Sequence, residues 1–399
     1  MKIKMVKGGI CAAKGVRAYG IKEGTKGLAL IEGEGRAVGM FTSNNLKAAP
    51  VRYTKKQLET GRISAIIANS GSANSFTGER GMRNAERMAE LASSCLGVER
   101  EEVAVASTGP IGVQLDMDLI ERQLGEVVKG LTSGEGGSTA AAKALMTTDT
   151  FPKEKAIRID TGNDEQVAIG GIAKGAGMIF PHLATATMLS FIYTDASLEE
   201  EVLGRSLKEA VDNSFNMVVV DGDMSTNDMV LLVSTGRSGK ISEEDFKAGL
   251  TFVCQELAKL MAKDGEGATK FIEVRVKGAP SIADAREVAR SILRSPLVKS
   301  ALFGERPDLT CGRIIAAIGS STLAGDVDPS RISISLKSDK EILAVKNGEF
   351  MDLFGLARTI MKGKELFIDV DLGTGEEGEA RAWGCDLTYD YVRINAGLH

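Results

Sequence analysis

Histidine is nearly absent, with only His182 and His399 in 399 residues. A Ser-His-Asp or Cys-His mechanism could use only His182, and a multi-histidine metal site is hard to assemble from this pair. Cysteine is scarce as well. Cys11, Cys95, Cys254, Cys311 and Cys385 are odd in number, widely scattered and free of any CxxC spacing, which argues against a disulfide framework and a zinc cluster. They read as reduced thiols packed as small hydrophobes. No apolar run approaches the roughly 18 residues of a membrane-spanning helix. The opening MKIKMVKGGICAAKGVRAYG carries Lys and Gly where a secretory leader has its apolar stretch. A cytoplasmic protein with no membrane partner is expected. Basic residues are not in excess: 49 Lys and Arg against 54 Asp and Glu leave a net charge of −5. With no basic tract, nucleic acid is not expected as a partner.

Several common signatures are missing too. GxxxxGK[ST], HExxH and GxSxG do not occur. GTGEEG (Gly373, Gly375, Gly378) fits the dinucleotide pattern, but a helix must follow it, and EARAWGCDLTYDYVRIN alternates like another strand, so a hairpin turn is expected. DGDMSTND imitates a calcium loop, yet it has Thr226 where glycine is required and Leu232 where glutamate is required.

What is abundant is glycine, 46 residues against 8 prolines, which suits a compact α/β protein with many turns and close backbone approaches. The length suggests two or three packed units. GLALIEG and ISAIIANS read as strands, MRNAERMAELASSCLG as a helix, EEVAVAS as a strand closed by STGPIG, and the stretch from Leu119 to Leu131 as a helix. TSGEGGSTAA reads as a loop, and AIRIDTGNDEQVAIGG as a hairpin. The segment KGAGMIFPHLATATML leads into the strand TMLSFIYTDA. Ser197 and Glu200 stand at capping-box spacing before a helix, and Ser242 opens a long one through Met261. MVVVDGDMSTNDMVLLVS reads as two strands around a polar loop. Helical AREVARSILRSPLVKSAL and the strands ISISLK, LFIDVDL and AWGCDLTYDYVRIN complete the chain.

Two Ala-Thr bonds mark the start of TMLSFIYTDA. A threonine hydroxyl is a weak nucleophile, and without a suitable histidine its economical activator is its own α-amine once the preceding bond is cut. Such an amine titrates near about 7.7 to 8.0, close to working pH.

NSGSANSFTGERG, ASTGPIG, TTDTFPK, GGIAKGAGMIFP with ATML and TDA, DGDMSTND, DGEGATKFIE and AWGCDLTYDYVRINA occur in this order. The chain thereby resembles the ornithine acetyltransferases, or glutamate N-acetyltransferases, the self-cleaving threonine enzymes of arginine biosynthesis. The resemblance implies an α/β fold of stacked mixed β-sheets between helices, shared with N-terminal-nucleophile aminopeptidases. It implies cleavage between Ala186 and Thr187 into chains 1–186 and 187–399, with 187–278 completing the core and 279–399 forming a smaller C-terminal α/β domain. Thr187 is then the nucleophile. PHLATATML holds two residues more than the family pattern, so Thr185 fits the upstream spacing and stays an alternative. Thr187 is preferred because a loop before the strand tolerates insertion.

Carried over residue by residue, Thr108 and Gly109 resemble the family's oxyanion pair. Thr147, Lys174, Thr187, Glu266 and Asn395 match its substrate contacts. A carboxylate suits Lys174, and the cationic side chain of ornithine suits Glu266. The chain ends at Asn395-Ala-Gly-Leu-His399, without the Thr or Ser that the family commonly has beyond the asparagine, and Cys311 stands where a tryptophan is usual. The implied activity is transfer of acetyl from N-acetylornithine to glutamate through an acetyl-threonine, without metal or cofactor, with acetyl-CoA a further donor in some members. A heterotetramer of two pairs of fragments is also implied. The rival readings are an aminopeptidase and an amino-acid-binding protein that never cleaves.

Overall fold

The computed structural model describes residues 2–162, 165–180, 188–352 and 354–397. The chain divides into two compact units, Met1–Asn216 with Asp223–Leu257, and Met217–Gly222 with Ala258–His399.

In the first unit, alternating apolar runs pair into one mixed sheet of nine strands. Its order is Lys2–Val6, Lys153–Gly162, Glu165–Lys174, Leu189–Thr194, Met229–Ser234, Lys26–Phe41, Arg62–Ser70 and Val103–Thr108, with Arg17–Glu23 paired to Lys26–Phe41. Leu189–Thr194 runs parallel to Met229–Ser234, and Arg62–Ser70 parallel to Val103–Thr108. The other pairs are antiparallel.

Period two sorts the side chains of each strand onto two faces. Leu28 and Leu30, Ala65 and Ile67, Val103 and Val105 pack beneath the helices Gly78–Leu96 and Met117–Gly130, which present Ala85, Met88, Ala89, Leu124 and Val127. The intervening Ala29, Ile31, Ile66, Ala68, Ala104 and Ala106 share a second cluster with Phe191, Tyr193, Leu231 and Val233 from the other part of the sheet. The sheet therefore folds back on itself, and its two halves face each other across one core. The fold-back lies in Lys26–Phe41, whose pairing with Arg62–Ser70 is irregular between Glu32 and Gly35. A Cβ on Gly35 would sit 2.2 Å from the Ser234 carbonyl oxygen, and one on Gly33 would sit 2.7 Å from the Tyr193 ring. Glycine is required at both for this approach. The helix Glu243–Lys263 covers the outside of the other half, with Gly249 against Ile157, Ile159 and Ile169 and Leu257 against Gly171. This is the mixed α/β architecture of stacked sheet layers between helices that the resemblance implies.

The second unit holds a mixed seven-stranded sheet ordered Glu349–Phe350, Glu341–Lys346, Ser333–Lys337, Glu365–Asp371, Phe271–Ala279, Gly378–Cys385 and Val218–Val219. The helix Ile282–Arg294 buries Ala285, Val288, Ala289 and Ile292 against Phe271–Ala279 and Gly378–Cys385. Its first turn is capped by Ser281, whose hydroxyl accepts from the Asp284 amide.

Several expectations are corrected. TSGEGGSTAA is not a loop, because Glu135–Leu145 is a helix. Its small residues permit an unusually close approach: a Cβ on Gly27 would lie 2.1 Å from the Ala144 carbonyl oxygen, and one on Gly137 would lie 2.4 Å from that of Ala18. Packing has overridden the poor helix propensity of glycine. Ser197 does not cap a helix; its amide donates to Gly239 O, and the helix Glu200–Asp212 starts after Glu199. YDYVRIN is not a strand but lies in the helix Tyr389–Ala396, because the Thr388 hydroxyl accepts from the Asp390 and Tyr391 amides. GTGEEG is not a hairpin turn, since Glu365–Asp371 and Gly378–Cys385 flank Phe271–Ala279 on opposite sides. For the same reason the C-terminal unit begins at Ala258 rather than 279: Phe271–Ala279 is one of its central strands. The two strands read around DGDMSTND belong to different units.

Among the described residues no helix is long and apolar enough to cross a membrane. No cluster of three His, Cys, Asp or Glu side chains suited to a metal converges among them. The five cysteines are unpaired; Cys254, Cys311 and Cys385 are buried, Cys11 is half-buried and Cys95 is exposed.

The bend at Gly35 gives a direct test. Gly35→Ala drives a methyl into backbone, so chemical denaturation should show a loss of about 2 kcal/mol or more. Gly125→Ala, in the exposed interior of the helix Met117–Gly130 with open space at its Cβ, should gain roughly 0.5–1 kcal/mol.

Candidate active site

Thr108 ends the buried strand Val103–Thr108, and Gly109 follows at φ 137°. A Cβ at Gly109 would lie 2.5 Å from the Ser72 amide nitrogen and 2.7 Å from the Gly71 carbonyl carbon, so only glycine allows this turn to lie against the segment 69–75. That segment carries its own bonds. The Asn69 side-chain amide donates to Ser72 O (3.0 Å), and the Ser72 hydroxyl donates to Val113 O (2.7 Å). A third segment locks both, because Asn227 Nδ2 donates to Ala73 O (2.6 Å) and to Ser107 O (2.9 Å) while Asn227 Oδ1 accepts from the Thr226 hydroxyl (2.7 Å). All three side chains are buried. The result is a hydroxyl and a backbone amide on a fixed turn, which is the form that donors to a developing oxyanion take. Asn227 was not foreseen, since DGDMSTND was weighed as a calcium loop and as a family motif without a role for its asparagine.

Thr147 and Lys174, far apart in sequence, meet at Asp149. Asp149 Oδ2 accepts from the Thr147 amide (3.0 Å) and lies 4.0 Å from Lys174 Nζ. Its Oδ1 accepts from Lys153 Nζ (2.6 Å) and from the Gly175 amide (2.8 Å). Burial by itself pushes the Asp149 carboxyl up, but the Lys174 and Lys153 charges and the hydrogen bonds prevail and hold it down at about 2. The group is therefore ionised and fixes both sequence-predicted contacts. Asp149 and Lys153 were missed; the available signal was an acid and a base four residues apart in TTDTFPK.

In the second unit Glu266 and Asn395 are brought together. Asn395 Nδ2 donates to Glu266 Oε2 (2.7 Å) and to Tyr391 O (3.0 Å). Glu266 sits on a tight turn where a Cβ on Gly267 would lie 2.5 Å from the Tyr391 amide nitrogen, and the Thr388 hydroxyl donates to Gly267 O (2.7 Å). The terminal helix that the sequence reading took for a strand is what delivers Asn395.

Thr185, Ala186 and Thr187 lie outside the described residues, as does His182. Description resumes at Met188, which is buried and whose carbonyl accepts from the Met229 amide (2.9 Å).

The ArgJ family model matches residues 13–399. The chain belongs to the ArgJ family. It is 52% identical to the glutamate N-acetyltransferase of Methanosarcina mazei over 99% of each chain, and 47% identical to that of Methanothermobacter thermautotrophicus over 99% of this chain and 98% of that one. It is 48% identical to the arginine biosynthesis bifunctional protein ArgJ of Symbiobacterium thermophilum, over 90% of this chain and 88% of that one. In this ArgJ-family chain, the segments carrying Thr108, Thr147, Lys174, Glu266 and Asn395 all fall within the matched range.

The Asp149 hub sets a pH dependence. A carboxyl held at about 2 contributes stability that is complete above its ordinary value near 4 and lost as pH falls through about 2. Wild type should therefore exceed Asp149→Asn in denaturation midpoint at pH 6, and the gap should narrow progressively between about pH 4 and pH 2.

Proposed function

We propose that this chain moves an acetyl group from N-acetylornithine to glutamate in arginine biosynthesis, in the cytoplasm. The observation that carries the reading is the Thr108–Gly109 turn, a hydroxyl and an amide fixed by Asn227 in a chain of the ArgJ family. Thr187, freed at its α-amine by cleavage after Ala186, is the proposed nucleophile, with Thr185 as the alternative. Its hydroxyl oxygen attacks the acetyl carbonyl carbon and its proton passes to the α-amine. Thr108 and Gly109 donate to the oxyanion, the C–N bond breaks, and ornithine leaves with the proton. The amine of glutamate then attacks the acetyl ester and frees the threonine.

Lys174, held by Asp149, suits a substrate carboxylate, with Thr147 beside it. The charge of Glu266, with Asn395, suits the cationic side chain of ornithine. Both half-reactions exchange an acetyl group between an amine and a hydroxyl, so the chemistry needs no metal or bound cofactor. Acetyl-CoA would enter only as a second donor. The fragments are expected to stay together as a heterotetramer, measurable by light scattering.

Denatured protein should show fragments of roughly 20 and 22 kDa. A new N-terminus reading Thr-Met-Leu assigns Thr187, Thr-Ala-Thr assigns Thr185, and an uncut active chain overturns the mechanism. With N-acetylornithine, ornithine release should continue only while glutamate is present. Steady acetate formation without glutamate, at a comparable rate, would instead identify a hydrolase. Thr108→Ala should lower turnover roughly 100-fold or more in a folded protein.

A further inference from the structure

Glu266 stands second in the turn Gly265–Ala268, which the Ala268 amide closes by donating to Gly265 O (2.8 Å), with Gly267 at φ 66°. Asn395 takes its Oε2, and Oε1 has no hydrogen-bond partner among the described residues. A turn this short, built on two glycines, does not fix a carboxylate by itself. The fixing comes from the segment 385–388, where the strand Gly378–Cys385 ends.

The Asp386 carboxyl is the centre of these contacts. Its Oδ1 accepts from the Thr269 amide (2.9 Å) and the Lys270 amide (3.0 Å), and its Oδ2 accepts from the Thr269 hydroxyl. The Asp386 amide donates in return to Lys270 O (3.3 Å). From the same segment Thr388 holds Gly267 O, and Cys385 closes against Gly265, where a Cβ would lie 2.5 Å from the sulfur. The segment is itself held from behind. Lys299, buried in the helix Pro296–Phe303, donates from Nζ to Cys385 O, and the Leu387 amide donates to Lys299 O (3.5 Å).

Asp386 is 2% exposed, so water does not replace it as acceptor for its three donors. A carboxylate suits the place, because its two oxygens accept from all three at once, whereas an amide offers one oxygen and turns an N–H toward the hydroxyl. Among the described residues every donor to this carboxyl comes from Thr269 and Lys270, which join the Glu266 turn to the strand Phe271–Ala279. The acid is thus spent on the turn.

We propose that Asp386 is a positioning residue for substrate selection, holding the Glu266 turn so that the oxygen left over by Asn395 meets a cationic side chain in one fixed place. The inference rests on the reading of Glu266 above. Without Asp386, Thr269 and Lys270 loosen and Glu266 moves with them. A cationic side chain loses its partner by this, and an uncharged one of the same shape loses little.

The test compares ornithine with norleucine, the same side chain with a methyl in place of the ammonium. Their Kd values are measured by calorimetry on purified wild type, Glu266→Gln, Asp386→Ala and Asp386→Asn. Wild type should bind ornithine about tenfold or more tighter than norleucine, and Glu266→Gln should erase that preference. Asp386→Ala should cut the preference about fivefold or more while the Kd for norleucine stays within about twofold. Asp386→Asn, which keeps one accepting oxygen for the two amides, should recover part of it. Equal affinities in wild type, or a preference that Glu266→Gln leaves intact, would refute the reading of Glu266 and the proposal with it. A preference lost in Glu266→Gln but kept in folded Asp386→Ala would sink the positioning role alone, as would equal weakening of both ligands there. If Asp386→Ala does not fold, Thr269→Val removes only the hydroxyl donor and carries the test. Its preference for ornithine should fall about twofold or more, and an unchanged ratio overturns the proposal.

Discussion

The strand Lys26–Phe41 can fold the sheet back on itself only because no side chain stands at Gly33 or Gly35. The Thr108–Gly109 turn and its Asn227 lock depend on that bend. Without it, the strand Val103–Thr108 and the strand Met229–Ser234 would lie in distant parts of an open sheet. With it, Asn227 at the head of one reaches Ser107 at the end of the other, 120 residues earlier in the chain, and Ala73, 154 residues earlier. These bonds are buried, so losing one leaves a carbonyl without water or protein to accept from and costs about 1–3 kcal/mol. The lock therefore holds the Thr108–Gly109 turn more rigidly than the turn's own residues could.

Around Lys174 two carboxyl groups have been driven in opposite directions. Asp149 has two ammonium groups and two backbone amides close by, and its charge is well compensated. Asp228 has burial and little to offset it. Divergence of this kind leaves one acid a fixed anion and favours the neutral form of the other. The lysine they share is held by the first and leaves the second under-compensated.

The strands and long helices were legible in the sequence because their periods are expressed over many residues, as in GLALIEG, ISAIIANS and MRNAERMAELASSCLG. The helix Glu135–Leu145 was not, since its glycines and alanines carry little apolar signal and serve close approach to Ala18, Gly20 and Gly27 rather than area burial. The terminal helix was misread because Tyr389, Tyr391, Val392 and Ile394 favour strands by residue type, while one capping hydroxyl, Thr388, decided the matter. Thr108, Gly109, Thr147, Lys174, Glu266 and Asn395 were found through motif resemblance. Asp149, Asn227 and Asp228 stood in the quoted motifs TTDTFPK and DGDMSTND but were given no role; only the Asp149–Lys153 spacing offered a local signal, and the Asn227 bonds to Ala73 and Ser107 reach too far along the chain to leave one.

The scarcity of histidine follows the same logic. Acid–base chemistry near neutral pH needs a group whose charge changes there, and imidazole is the side chain that does so unperturbed. With His182 and His399 the only imidazoles in the chain, other groups must be tuned by their surroundings: a carboxyl raised by burial, and an amine whose ordinary range of about 7.7 to 8.0 already lies close to neutral. Cutting a peptide bond creates an amine of that kind at the residue that follows. The self-processing proposed before Thr187 would then answer the near absence of histidine.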